Sequence, residues 1–227
     1  MEIGFLVFPQ VQQLDLSGPY EVLASWREAR VRLVAKSLDP VVSATGLTLT
    51  PDVTFADCPT LDVICVPGGD GVNALLGDEE TLAFLRRQAA GARFVTSVCT
   101  GALVLGAAGL LKGKRATTHW ASHEYLAAFG AIPVDARVVR DGTLMTGGGV
   151  TAGIDFGLTL VAELAGRAVA EAIQLNLEYA PAPPFDAGGP DTAPPDVVER
   201  MLTLTAQRRA ERRRLVAAAT ERLAARQ

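Results

Sequence analysis

The chain alternates short apolar runs with longer mixed stretches, and that rhythm predicts its elements. Glu2–Phe8 is a nearly continuous apolar run and reads as a buried strand. Ser17-Gly18-Pro19 then opens a helix that runs to about Arg27, with Ser17 as its cap. Val31–Ser37 predicts a second strand. Val41–Val53 predicts a hairpin around Thr45-Gly46, with alternation in Leu47-Thr48-Leu49-Thr50. Asp62–Val66 stops at Pro67-Gly68-Gly69 and predicts a central parallel strand. Helices follow near Val72–Leu76 and Glu79–Ala90, then a strand over Arg93–Val98. Arg115–Thr118 reads as a short strand leading into a helix from about Ala121 to Phe129. Arg137–Arg140 and Thr143–Thr146, joined by Asp141-Gly142, form a hairpin. Two helical stretches follow, Ala152–Leu164 and Ala168–Glu178. Ala180–Pro195 is rich in Pro, Gly and Asp, has no period, and reads as an extended surface loop. Asp196–Gln227 reads as one long helix with an apolar stripe of Val198, Met201, Leu202 and Leu215.

Strands that alternate with helices predict an α/β fold, with a mainly parallel central sheet and helices on both faces. In such sheets, ligands bind beyond the carboxyl ends of the strands. Three segments fall there: Asp15, Pro67-Gly68-Gly69 and Cys99-Thr100. The last joins the strand Phe94-Val95-Thr96-Ser97-Val98 to the helical run Ala102-Leu103-Val104-Leu105-Gly106, with a thiol on the sharp turn. Backbone N–H groups and the helix N-terminus favour an exposed thiolate at that point. The turn alone equally suits a buried, inert cysteine.

Asp15 lies between Leu14 and Leu16, with the capping duty left to Ser17. A carboxyl in apolar surroundings holds a proton to higher pH, so Asp15 is the expected acid–base partner of Cys99. Gly69 offers a backbone N–H to developing negative charge, paired with that of Thr100. The glycines equally serve the turn itself. His119 is either a proton partner of the thiol or, with Trp120, a packed pocket wall. Gly148 and Val150 are expected to line the same pocket. His123 follows His119 at i, i+4, but the glutamate of an HExxH motif is missing and no third ligand is evident, so no metal is expected. Cys65 sits inside an apolar strand and Cys58 precedes Pro59; both read as inert.

Composition narrows the class. A chain of 227 residues makes one large domain, and a net charge of −4 argues against nucleic acid as the main partner. The N-terminus lacks the basic start and small-residue cleavage site of a signal peptide, and no stretch approaches the ~20 apolar residues of a membrane span. Three cysteines without CxxC spacing suit a reducing, cytoplasmic setting. The C-terminal stretch holds eight arginines against four acidic residues. It is read as a helix docked on the body or on a second subunit, in preference to a nucleic-acid surface.

These motifs together resemble the DJ-1/PfpI superfamily. The resemblance is carried by Asp15-Leu16-Ser17-Gly18-Pro19, Pro67-Gly68-Gly69, Val98-Cys99-Thr100-Gly101-Ala102, Ala116-Thr117-Thr118-His119-Trp120 and Thr151-Ala152-Gly153-Ile154-Asp155. Within it, Asp15 and the tail with Glu178-Tyr179 and Pro183-Pro184-Phe185 look like the isonitrile (isocyanide) hydratase subfamily. The resemblance spans about residues 1–195. It implies a flavodoxin-like, class I glutamine amidotransferase-like sandwich as the catalytic domain, with 196–227 as a helix of that domain or of a dimer interface. It further implies a homodimer, Cys99 as nucleophile, Asp15 as its acidic partner, and Thr100 as a hydroxyl that holds Asp15 or substrate. The implied reaction is cofactor-free hydration of a small-molecule isonitrile to an N-substituted formamide, through a Cys99 thioimidate. A DJ-1-like glyoxalase or deglycase is the alternative enzyme, although Thr100 stands where peptidase-like members have histidine. A small-molecule or oxidation sensor related to the ligand domain of AraC-type regulators is the other alternative. The 32 residues after Pro195 suffice for one helix and fall short of a helix-turn-helix pair of units.

Overall fold

The apolar runs become strands in a computed structural model that describes residues 1–226. In chain order these are β1 (Glu2–Leu6), β2 (Arg30–Ala35), β3 (Val41–Val42), β4 (Thr48–Leu49), β5 (Val53–Thr54), β6 (Val63–Val66), β7 (Phe94–Val98), β8 (Arg115–Ala116), β9 (Ile132–Pro133), β10 (Val138–Asp141) and β11 (Leu144–Gly147). Among the described residues, seven of them form one sheet in the order β10-β11-β7-β6-β1-β2-β5. Every pairing in it is parallel except that of β10 with β11. The helices are α1 (Gln13–Ala24), α2 (Val72–Leu75), α3 (Glu79–Ala89), α4 (Gly101–Ala107), α5 (Ala152–Ala165), α6 (Arg167–Asn176), α7 (Pro195–Leu204) and α8 (Ala206–Ala224).

Side chains alternate across the pleat, so each strand feeds two cores. Ile3, Phe5, Val63 and Cys65 pack with Leu16, Val22, Phe156 and Leu160 of α1 and α5 on one face. Leu6, Ile64 and Val66 pack with Phe84, Leu103, Leu105, Val216 and Ala219 of α3, α4 and α8 on the other. The expected α/β sandwich therefore forms, with helices on both faces. From β1 the chain moves to β2 on one side, then returns to β6 on the other side. That reversal opens a crevice beyond the strand ends of β1 and β6, the usual ligand position in such sheets.

Several boundaries differ from expectation, each for a local reason. The first helix begins at Gln13, with Ser17 inside it and no side-chain cap. Its start is set by tertiary contacts: Val11 bridges Gly69, and the Gln12 N–H donates to Gly68 O at 2.8 Å. Pro19 consequently lies within the helix. The expected hairpin shrinks to β3 and β4, because Val53 and Thr54 leave it to pair with β2. Trp120–Tyr125 and Ala127–Phe129 wind as 3₁₀ turns between the His119 cap and the left-handed Gly130, where an α-helix was expected. Thr117 and Thr118 leave their strand, since the Thr117 N–H donates to Thr146 Oγ1 and Thr118 Oγ1 to Cys99 O.

The C-terminal helix is two helices, broken at Thr205, whose hydroxyl donates back to Met201 O at 2.8 Å. Of the expected stripe, Met201 stays exposed and α7 has no buried residue. Leu215 of the stripe does pack against the core, and docking is otherwise carried by Arg212, Val216 and Ala219 on one face of α8. Arg208, Arg209 and Arg226 add ion pairs to Asp70, Glu124 and Glu79. Gln227, the last residue of the expected helix, lies outside the described residues.

Candidate active site

The thiol stands on a constrained elbow. Cys99 has φ 57°, a left-handed conformation that side-chain-bearing residues rarely adopt. Three backbone contacts hold it there. Its N–H is shared between Gly147 O at 3.1 Å and Gly148 O at 2.8 Å, and Thr118 Oγ1 donates to its carbonyl at 2.7 Å. The chain then passes hard against β6: a Cβ on Gly101 would lie 1.9 Å from Val66 O. Strain of this kind persists only where the surroundings over-determine it.

Asp15 reaches the same place from the first turn of α1 and is fully buried. Its Oδ2 accepts the Gly68 N–H at 2.9 Å. Its side chain also hydrogen-bonds with the Cys99 thiol, while Oδ1 has no partner of ordinary geometry. Burial pushes the carboxyl up to about 7, against the opposing pull of the thiol and of the Gly68 amide. Burial and then the Asp15 charge push the Cys99 thiol well above its ordinary value, against donors from Thr100. The exposed thiolate expected from the sequence is thus corrected. Cys99 is 5% exposed, and burial together with the neighbouring carboxyl makes the pair resist carrying two negative charges, so thiol and carboxyl share a proton.

Thr100 and the glycine turn complete the cluster. The Thr100 N–H and hydroxyl both act on the Cys99 sulfur. Gly69, at φ 130°, donates its N–H to Thr100 Oγ1 at 3.1 Å, so that amide is engaged in the resting site. Gly68, which the sequence places in the same turn, is the glycine on which the site's spacing depends. A Cβ there would lie 2.6 Å from Thr100 Oγ1 and 2.7 Å from Asp15 Oδ2.

A pocket of about 250 Å³ lies behind this cluster; none of the cluster's own residues lines it, and Arg212 on its wall links the two by reaching Gly69 O at 3.5 Å. His119 and Trp120 line it, together with Val198 and Met201 of α7 and Arg209 and Arg212 of α8. Gly148 and Val150 do not. Gly148 sits beneath the Cys99 amide, and Val150 packs against the core that contains Cys99. His119 Nδ1 accepts the Ala121 N–H, and burial followed by the charges of Arg212 and Arg208 keeps the ring below its ordinary pKa. His123 turns away to the Val134 carbonyl at 3.0 Å. Asp155 of the Thr151–Asp155 motif is an anchor, paired with Arg137 and accepting the Tyr179 hydroxyl at 3.1 Å.

Sequence reasoning missed Arg212. It is 6% exposed and donates to Asn73 Oδ1 at 2.8 Å, Ser122 Oγ at 3.3 Å and Gly69 O at 3.5 Å. The available signal was its i, i+4, i+7 spacing with Val216 and Ala219, which puts it on the docked face of a helix. The expected pull of a long arginine run toward solvent concealed it.

Comparison with known proteins agrees with the fold. The chain is 69% identical over 199 residues to an isonitrile hydratase of Pseudomonas putida, covering 88% of this chain and 87% of that protein. It is 32% identical over 188 residues to an HTH-type transcriptional regulator of Pseudomonas aeruginosa, covering 78% of this chain and 50% of the regulator. A crystal structure of a ThiJ/PfpI family protein from Pseudomonas syringae superposes with a TM-score of 0.92 at 50% identity, covering 95% of this chain and 90% of the other. The DJ-1/PfpI family model matches residues 1–163, which contain the elbow, its carboxyl partner and the glycine turn, and the chain belongs to the DJ-1/PfpI family.

Proposed function

We propose that the chain hydrates isonitriles to N-substituted formamides, with Cys99 as nucleophile and Asp15 as the group that moves protons. The observation that carries this reading is the buried Asp15–Cys99 pair at the elbow, in a chain so similar to an isonitrile hydratase. The regulator covers this chain less fully and at lower identity, so the enzyme reading has the stronger support.

The chemistry follows from one shared proton. Carboxylate with thiol, or carboxylic acid with thiolate, are the same protonation state of the pair. As sulfur attacks the terminal carbon of R–N≡C, Asp15 takes the thiol proton and delivers it to that carbon. The product is a thioimidate, R–N=CH–S–Cys99, formed by simple addition. Asp15 is again a carboxylate and removes a proton from water, whose oxygen attacks the same carbon. Nitrogen is protonated, the C–S bond breaks, and formamide and thiol are released. A carboxyl with a pKa near 7 suits both directions of transfer at neutral pH. The Thr100 N–H and hydroxyl steady the charge on sulfur as it develops; loss of one such donor typically costs about 3–4 kcal/mol in the barrier.

The same reading takes residues 1–195 as the catalytic domain and 196–227 as an integral part of it, given that Val216 and Ala219 belong to its core. A homodimer and a cytoplasmic setting complete the proposal. Three free cysteines suit a reducing compartment, and no described helix is long and apolar enough to cross a membrane. Parallel assays with cyclohexyl isonitrile and methylglyoxal test the function. Formamide from the first, without turnover of the second, is the expected result. Turnover of methylglyoxal alone overturns the reading in favour of a glyoxalase, and turnover of neither in favour of a sensor. Light scattering of the purified protein tests the dimer.

A further inference from the structure

The pocket behind the elbow holds a positive charge that has no ion-pair partner among the described residues. Three arginines of α8 line it. Arg208 is paired with Asp70 at 2.7 Å, and Arg209 with Glu124 at 3.3 Å. Arg212, the most buried of the three, has only neutral acceptors: the Asn73 amide, the Ser122 hydroxyl and the Gly69 carbonyl. No carboxylate of the described residues lies within ion-pair distance of it. A second observation points the same way. Arg209 Nε, on the same lining, is buried with no hydrogen-bond partner. A buried guanidinium without a counter-ion is costly, and a guanidinium has five donors, of which Arg212 uses three here.

We propose that this pocket binds a carboxylate carried by the substrate close to its isonitrile group, with Arg212 as the counter-ion. The inference rests on the isonitrile reading of Cys99 and adds the substrate class. Geometry sets the spacing of the two groups. Arg212 Nη2 reaches Gly69 O, the Gly69 N–H reaches Thr100 Oγ1, and Thr100 adjoins the thiol. Guanidinium and nucleophile are therefore near neighbours around the edge of the Gly69 turn, and a substrate that meets both must carry its acid and its isonitrile on the same or adjacent carbons. Trp120, Val198 and Met201 leave the rest of the pocket apolar, fit for the remaining substituent. The subsite is supplied by a helix beyond residues 1–163, so it is an addition to the part that matches the family.

The test compares kcat/KM for isocyanoacetate and for methyl isocyanoacetate, which differ in the charge of one group. The wild-type protein is expected to prefer the acid by about tenfold or more, the usual worth of a hydrogen bond to a charged group. Arg212→Gln should bring that ratio to about one, and Arg212→Lys should retain part of it, since lysine keeps the charge without the planar fork. A wild-type ratio of one or less overturns the proposal, as does an unchanged ratio in folded Arg212→Gln. Inhibition of the wild-type enzyme by N-formylglycine and by its methyl ester gives a second measurement that needs no variant. The acid should bind more tightly, and equal inhibition counts against the subsite. Turnover of neither isonitrile by the wild type overturns the isonitrile reading itself; turnover of the ester with no gain from the acid overturns the subsite alone.

Discussion

Asp15 and Arg212 are both buried, both charged in water, and both bonded to the same glycine turn, yet burial does opposite things to them. Asp15 comes from the first helix and holds Gly68; Arg212 comes from the last long helix and holds Gly69. A carboxyl can escape the cost of burial by taking up a proton, so its pKa climbs to about 7 and the group becomes a proton carrier. A guanidinium is also pulled down by burial, but it starts so high that it keeps its charge at any working pH. One buried charge becomes a switchable group, the other a fixed field. In the proposed reaction the first serves chemistry and the second serves recognition.

Removing the nucleophile should have the largest effect. Cys99→Ser is expected to lower turnover by roughly a hundredfold or more, because a hydroxyl is a weak nucleophile without a strong base. Activity near the wild-type level would separate the elbow from the chemistry. Asp15→Asn should follow, with a loss of about a hundredfold and no thioimidate accumulating. An adduct that forms and persists in that variant would confine Asp15 to the water step. In the wild type, kcat/KM should rise with pH through about 7, as Asp15 becomes the carboxylate that accepts the thiol proton.

The same substitution should change stability in the other direction. Folded Asp15 holds its proton to about 7, whereas the unfolded chain loses it near 4. The native state therefore binds more protons between those values, and the contribution of Asp15 to stability falls as pH rises through that window. Asp15→Asn removes the penalty. It should raise unfolding stability by about 4 kcal/mol at pH 8, and change it little at pH 4. Equal effects at the two pH values would show that the carboxyl is not neutral when folded.

The contrast also marks what was legible in the sequence. Asp15, Gly69, Cys99 and Thr100 follow strands whose apolar runs are easy to read, so the topology itself places them at one crevice. Their protonation was harder. The elbow suggests an exposed thiolate, whereas the depth of the site and the carboxyl beside it make thiol and carboxyl share a proton. The helix start at Gln13 was invisible because a bridge to Gly69, not a capping side chain, sets it. Arg212 was hidden in an arginine run whose members differ only in which face of α8 they occupy. Thr205, which breaks the predicted single helix, does so through a backbone contact that leaves no periodic trace.

The C-terminal end offers a milder test. Deleting residues 206–227 uncovers the core that Val216 and Ala219 help to close. The thermal midpoint should fall by roughly 5 °C or more, given the usual worth of a buried aliphatic side chain in a chain this size. An unchanged midpoint would leave α8 without a structural role. The smallest expected difference is in thiol labelling. Burial raises Cys65 to about 12 and Cys58 to about 11, and neither has a carboxyl to take its proton in place. Brief iodoacetamide treatment followed by peptide mapping should modify Cys99 first, with Asp15→Asn narrowing its lead. Earlier modification of Cys65 would contradict its place in β6.

The central claim is that Cys99 adds to the isonitrile carbon with a proton moved by Asp15. Acid-quenched protein, mixed with cyclohexyl isonitrile and analysed by intact and peptide mass spectrometry, tests it most directly. The account requires a mass increase equal to the whole isonitrile, on the peptide that contains Cys99, absent from Cys99→Ser and from Asp15→Asn. Formamide production without any such adduct at Cys99, or with the adduct at Cys58 or Cys65, would contradict it.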